Sequence, residues 1–215
     1  MSNLKAQIKT LREETDSLLS DDVRRLLQRS IQRVEEGGLP QSAILAGDRF
    51  PQFSLPNAAG NAVDSEELLA NGPLVVCFYR GGWCPYCNLE LRAYQNILEE
   101  IRGLGAELIA ISPQLPEESF NTAAKAGLSF EVLSDTGNSL AEHLGLVFEF
   151  APAMIDLYRS MGFDLERING NLCWTLPVPA TYVIDQDGVV VDAFLQADYT
   201  VRKEPAEVLE VLRGL

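Results

Sequence analysis

Histidine is nearly missing from this chain. Its 215 residues hold one, His143, so a multi-histidine metal site is excluded, and any Ser-His-Asp triad would have to rest on that residue alone. Basic residues are also scarce. The 17 Lys and Arg face 31 Asp and Glu, for a formal net charge of -14, which removes bulk attraction for nucleic acid or anionic lipid. No stretch approaches the ~18 consecutive apolar residues of a membrane span. Met1 to Lys9 lack the apolar centre of a secretory signal. No GxGxxG or GxxxxGK segment is there to cradle phosphates, and no repeat or low-complexity tract appears. The expectation is a cytoplasmic protein with no metal, no cofactor, no nucleic-acid partner and no membrane partner.

What is there suffices for one core, since a chain of this length buries roughly 70% of its unfolded surface without disulfide staples. Residues 3 to 36 read as two helices. The first carries Leu4, Ile8, Leu11 and Leu18. Ser20 then caps a second, with Asp21 and Asp22 in its first turn and Val23, Leu26, Leu27, Ile31 and Val34 on one face. Gly37, Gly38 and Pro40 stop it. These stripes pack either on the chain's own core or against a second copy, as a homodimer seam. Residues 1–40 are taken as a helical extension and residues 41–215 as the main domain.

In the main domain the pattern alternates. A small hairpin is expected within Phe50 to Val63, and a helical turn capped by Asp64 or Ser65 through Leu69. Leu74 to Tyr79, LVVCFY, is a continuous apolar run of the kind found in strands buried on both faces. One helix is expected over 85–102, a strand over Glu107 to Ser112, a helix over Glu117 to Ala126 closed by Gly127, a strand over Phe130 to Leu133 and a short helix over Ser139 to Leu144. Val147 to Pro179 is irregular, with one helix from Met154 to Met161. Thr181 to Ile184 and Val189 to Leu195 form a hairpin around Asp187-Gly188, and Pro205 to Leu212 a closing helix. The fold class is α/β, a mixed central sheet flanked by helices.

The chemistry sits in Trp83-Cys84-Pro85-Tyr86-Cys87, directly after the buried strand and at the start of a helix. CxxC is also half of many zinc sites, but Cys77 and Cys173 make no second close pair. In a reducing cytosol a purely structural disulfide is disfavoured. Strand, CxxC and helix together read as a thioredoxin-like redox motif. Cys84 falls where unpaired N–H groups and the helix dipole favour an anion, and Pro85 takes the first helical position, where a missing N–H costs nothing. A fall in the thiol pKa from ~8.5 to ~6.5 would turn most of the molecules into thiolate at neutral pH. Cys84 is then the attacking sulfur and Cys87 the resolving one.

The neighbours have more than one reading. Gly81 and Gly82 would let backbone approach a substrate. Arg80 either supplies positive charge to the thiolate or is a solvated residue at a strand end. Trp83 is read as a shield for the sulfur. Cys77 belongs to the core. Cys173 is a loop thiol without a role, or else a second resolving or regulatory one. His143 is structural or solvated, and Glu90 is a carboxylate whose direction along the motif helix decides whether it meets the cysteines.

FYRGGWCPYCNLELRAY, followed by PATYVIDQDGVVVDAF, resembles the alkyl hydroperoxide reductase / thiol-specific antioxidant family, the peroxiredoxin branch of the thioredoxin superfamily, over about Gly47 to Val201. The resemblance implies a thioredoxin-like sheet and a peroxide-attacking cysteine at Cys84. It departs from the family in two places. Gly81 stands where a Thr or Ser is expected three residues before the cysteine. Pro179 stands where an activating arginine precedes the later strand, and there the chain is similar to thioredoxin, whose proline faces the CxxC. Cys-Pro-Tyr-Cys itself is similar to glutaredoxin. Three functions follow. The first is a thiol-dependent peroxidase working through a Cys84 sulfenic acid and a Cys84–Cys87 disulfide, reduced by thioredoxin, glutaredoxin or glutathione. The second is an oxidoreductase acting on disulfides. The third is a redox-sensing module whose N-terminal helices are its output surface.

Overall fold

The computed structural model describes residues 3–39 and 43–215. The boundary expected between residues 40 and 41, and Pro40 as a helix stop, lie outside the described residues. The centre is a five-stranded sheet in the order β5-β4-β3-β8-β9. It is built from β3 (Leu74–Phe78), β4 (Glu107–Ser112), β5 (Glu131–Ser134), β8 (Ala180–Ile184) and β9 (Val190–Leu195). β3, β4 and β5 run parallel, and β8 and β9 are antiparallel to their neighbours. Both faces of β3 are covered, which is why its run does not alternate with polar residues. Val75, Cys77 and Tyr79 face one core with Leu91, Tyr94, Leu98 and Ile101. Leu74, Val76 and Phe78 face the other with Ile109, Ile111 and Tyr182.

The small hairpin pairs β1 (Ser54–Pro56) with β2 (Ala62–Asp64), and α3 (Ser65–Ala70) follows it. α6 (Pro116–Ala126) ends on Gly127, whose φ of 65° is the left-handed cap that glycine tolerates. The short helix α7 (Ser139–His143) and the closing helix α10 (Pro205–Leu212) are where the patterning puts them.

The single helix expected over 85–102 is two, α4 (Pro85–Gln95) and α5 (Leu98–Gly103). At the break the Ile97 N–H bonds the Tyr94 carbonyl at 3.1 Å, three residues back instead of four. The buried positions Leu91, Tyr94, Leu98 and Ile101 keep their spacing across that tight turn, so periodicity does not reveal it. The irregular segment holds more structure than its sequence shows: α8 (Pro152–Ser160), α9 (Leu165–Asn169) and a ribbon of β6 (Val147–Glu149) with β7 (Thr175–Pro177). Three-residue strands 25 residues apart are too short to show an alternation.

The N-terminal helices α1 (Leu4–Leu18) and α2 (Asp21–Glu36) lie on the same chain. Ser20 caps α2 by accepting from the Val23 N–H at 3.3 Å. Leu4 and Ile8 are buried in the core that holds Cys84, Cys87, Leu91 and Tyr94. Leu26 and Leu27 pack against Phe150, Met154 and Tyr158, and Ile31 and Val34 against Val178 and Ala197. Both apolar stripes are thus covered within one chain, with Leu18 exposed. Glu204 fixes the start of α1, accepting from the N–H groups of Leu4 at 3.2 Å and Lys5 at 2.5 Å. Among the described residues no helix is long and apolar enough to cross a membrane.

If α1 belongs to the core, Leu4→Ala and Ile8→Ala each destabilise the protein by about 2–5 kcal/mol. Urea denaturation reads this directly, whereas truncations on a detached arm would leave the midpoint unmoved.

Candidate active site

β3 ends at Phe78, and the chain turns through Tyr79, Arg80, Gly81 and Gly82 into the motif. The loop is pinned on both sides. The Gly82 N–H donates to Gln114 Oε1 at 2.7 Å, and the Gly82 carbonyl accepts from Asn88 Nδ2 at 2.9 Å. Glycine is required here by the protein's own side chains. At Gly81, where φ is 143°, a Cβ would lie 2.3 Å from Trp83 Nε1, and at Gly82 it would lie 2.2 Å from Thr122 Oγ1. These glycines make room for Trp83 and Thr122.

Cys84 is the N-cap of α4 and Pro85 its first residue. Cys84 and Cys87 are free thiols, both buried, while Pro85 is exposed. Burial alone pushes the Cys84 thiol up. The Cys87 S–H, the charges of Arg80 and Arg202 and the Cys87 backbone N–H outweigh it and bring Cys84 down to about 6. Burial pushes Cys87 well above the ordinary thiol range, and its hydrogen bond to Cys84 and the charge there push it further. Cys84 carries the negative charge and Cys87 keeps its proton.

Arg80 is 2% exposed, so it is not a solvated strand end. Its guanidinium lies 4.2 Å from the Tyr199 ring centre and 5.0 Å from that of Trp83, and it donates to the Tyr158 hydroxyl. Among the described residues its Nε has no hydrogen-bond partner. Trp83 is half-buried against Tyr158 and Phe163, at 5.5 and 5.4 Å between ring centres. Pro179, buried just before β8 and next to the Phe78–Ala180 pair, lines the same small apolar cavity as Arg80, Tyr158 and Tyr199. The structure thus gathers Arg80 and Pro179 around one end of the sheet, with Trp83 against the Arg80 guanidinium and the Arg80 charge acting on Cys84.

Two residues of the site, Arg202 and Tyr199, are not singled out by sequence, and the structure settles the direction of Glu90. Arg202, in the segment before α10, is 2% exposed, and its Nη2 lies 3.4 Å from Cys87 Sγ. Its Nε donates to Glu90 Oε2 at 2.7 Å. Burial raises Glu90 to about 7 against the pull of Arg202. Tyr199 completes the cage around Arg80. Glu90 had a readable signal, since it lies one turn beyond Cys87 on the buried face of α4 with Leu91 and Tyr94. Arg202 had none, being joined to Cys87 across 115 residues. Of the other thiols, Cys77 is buried beside Glu90 and Cys87, and Cys173 is exposed. His143 is exposed and pairs with the Ser139 carbonyl at 2.8 Å.

The model of the AhpC/TSA family matches residues 46–193. The chain belongs to the AhpC/TSA family. It is 27% identical over 172 residues to "Peroxiredoxin Q, chloroplastic" of Sedum lineare, covering 80% of each chain. It is 31% identical over 103 residues to "Peroxiredoxin Bcp" of Escherichia coli K12, covering 48% of this chain and 65% of the relative. Among solved structures, Peroxidoxin BcpB from Mycobacterium tuberculosis superposes with a TM-score of 0.63 at 22% identity, over 80% of this chain and 98% of the other. The fold of this AhpC/TSA chain is therefore the thioredoxin-like one, and α1 and α2 lie ahead of the family match.

The thiolate absorbance of the reduced protein is expected to rise with a midpoint near pH 6, because deprotonation creates the charge that Arg80 and Arg202 hold. Arg80→Met moves that midpoint upward by about a unit or more. An unshifted midpoint would remove Arg80 from the activation of Cys84.

Proposed function

We propose that this protein is a thiol-dependent peroxidase in which Cys84 attacks the hydroperoxide and Cys87 resolves the product. Its relatives carry the name peroxiredoxin, and the chain is an oxidoreductase of that kind. The observation that supports the residue roles is Arg80: a buried guanidinium that favours the Cys84 thiolate and whose Nε donor has no partner among the described residues. A peroxide needs both. The thiolate attacks one oxygen, the O–O bond breaks, and the departing oxygen gathers negative charge that a buried donor stabilises. Arg80, with the N-terminal amides of α4, takes the place of the missing hydroxyl at position 81 and the missing arginine at 179.

The first step leaves Cys84 as a sulfenic acid and releases an alcohol or water. Cys87, within the same helical turn, attacks that sulfur and expels hydroxide, which leaves as water, and the pair becomes a disulfide. A thioredoxin, glutaredoxin or glutathione system in a reducing cytoplasm then returns both thiols. The apolar faces of α1 and α2 are spent within the chain, so a homodimer through these helices would use their polar sides.

Stopped-flow oxidation by hydrogen peroxide and by an organic hydroperoxide, followed by tryptophan fluorescence with Cys84→Ser as the blank, tests this. The expected second-order rate is about 10²-fold or more above that of a free thiolate, the size of one well-placed donor to a developing oxyanion. In Cys87→Ser the sulfenic acid accumulates and is trapped by dimedone. A rate like that of any exposed thiolate would instead point to disulfide substrates.

A further inference from the structure

The resolving cysteine sits in a buried charged cluster of its own. Arg202 stands between two acids, with Cys87 Sγ at 3.4 Å from Nη2 and Glu90 Oε2 at 2.7 Å from Nε. The Arg202 and Glu90 side chains are each 2% exposed, and Cys87 is fully buried. The other titratable groups facing Glu90 are Cys77 from β3 and Tyr94 one turn along α4; Cys84 and the Arg80 backbone act on Cys87 from the motif side, and Tyr79 faces it from the end of β3. Arg202 also donates to the carbonyls of Tyr199 and Val201, so it is held in place whether or not either acid is charged.

Beside one buried cation a second anion meets both the desolvation cost and the repulsion of the first anion. We propose that Cys87, Arg202 and Glu90 hold a single anion between them, which rests on Glu90 while Cys84 is a thiolate and passes to Cys87 once Cys84 has been neutralised. This rests on the CxxC chemistry of the proposed function and assigns its second step. In the resting protein the Cys84 charge opposes a charge on Cys87, and the Cys87 S–H donates to Cys84. Oxidation of Cys84 to the sulfenic acid, or its capture as a mixed disulfide, removes that opposition and that bond. The proton of Cys87 then moves to the Glu90 carboxylate. One anion is lost and one gained beside the same guanidinium, so the net charge of the buried cluster does not change. The Cys87 thiolate attacks the Cys84 sulfur and expels hydroxide or a thiolate. Glu90 gives up its proton, and the leaving group departs as water or thiol. From the sulfenic acid, Cys84 is reduced and Cys87 oxidised to the same disulfide level; from a mixed disulfide, Cys84 stays at that level, Cys87 is oxidised and the departing sulfur is reduced. The arrangement sets an order on the two sulfurs, because Cys87 becomes nucleophilic only after Cys84 has reacted.

The test uses the intact protein and no peroxide. Stoichiometric iodoacetamide alkylates Cys84, with the position confirmed by mass spectrometry, and leaves it permanently neutral. Thiolate absorbance is then followed against pH. The expected result is that a thiolate titrating near neutrality persists and belongs to Cys87. In alkylated Arg202→Met it is lost over the same range, and in alkylated Glu90→Gln its midpoint lies lower, because the competing carboxylate is gone. A second reading comes from a chromogenic aromatic disulfide, whose two thiol equivalents leave in separate phases. Attack by Cys84 releases the first, and resolution by Cys87 the second. In Arg202→Met the second phase slows by at least about tenfold, the size of a lost hydrogen bond to a charged group, and gains a rise with pH. Absence of any thiolate in the alkylated wild-type protein overturns the proposal, as does a second phase unchanged in Arg202→Met. Slow reaction with peroxide alongside an intact two-phase reaction would count against the peroxidase reading alone.

Discussion

Two guanidinium groups lie at one end of the sheet with almost no access to water, and the site is organised around what they need. A buried cation is tolerable when anions and π-faces replace its hydration. Arg80 is met by the rings of Tyr199, Trp83, Phe150 and Tyr158, none of which is a carboxylate, so the Cys84 thiolate is the anion it favours. Arg202 is met by Glu90. This division explains why two sulfurs three residues apart behave differently. Cys84, which accepts from the Cys87 S–H and feels the charge of Arg80, ionises, and Cys87, beside an already balanced pair, does not.

The same constraint gives the N-terminal helices a place in the chemistry. Arg202 lies in a segment that α1 clasps from both ends. Arg12 reaches Asp198 at 3.2 Å and Thr200 at 3.3 Å, and Glu204 caps the first turn of α1 while also capping α10. On the other side, α2 packs Ile31 and Val34 over Val178 and Ala197, next to Pro179 and Tyr199. Exposed ion pairs such as Arg12–Asp198 are individually weak, so the clasp depends on the burial of Leu4 and Ile8 beneath it. An extension ahead of the family match thus helps hold the groups that set the charge of Cys84.

How far this was legible depends on the distance over which each feature is decided. The position of Cys84 is local: a buried run, two glycines, a cysteine and Pro85 specify a strand end and a helix start within a dozen residues. The Pro205–Leu212 helix is local in the same way, with proline at its first position and Val208, Leu209 and Leu212 buried. The break at Ile97 left no trace because the buried spacing runs through it. The β6–β7 ribbon was hidden because neither strand is long enough to carry a period. Arg202 was hidden because an Arg-Lys pair near the C-terminus reads as a solvated surface. Only the register of the closing loop against α4 brings it to Cys87 and Glu90. Glu90 lies between these cases: a carboxylate on the apolar face of a helix signals a partner without naming it.

The departures from the family pattern become consistent on this view. A hydroxyl three residues before the attacking cysteine and an arginine before the later strand are two ways of bringing donors and positive charge to a peroxide. Here the first position is Gly81, which any side chain would drive into Trp83, and the second is the buried Pro179. The first loss falls in the loop that Gln114 pins and Thr122 crowds, and the second lies in the cavity that Arg80 lines with Tyr158 and Tyr199. Positive charge near Cys84 comes from Arg80, two residues past the end of β3 and four positions before the sulfur. The cost of burying Arg80 is offset by aromatic residues from α8 and from the loop after β9. Those residues lie far apart in sequence, and it is their convergence, more than the Cys-Pro-Tyr-Cys segment itself, that separates this site from a generic dithiol.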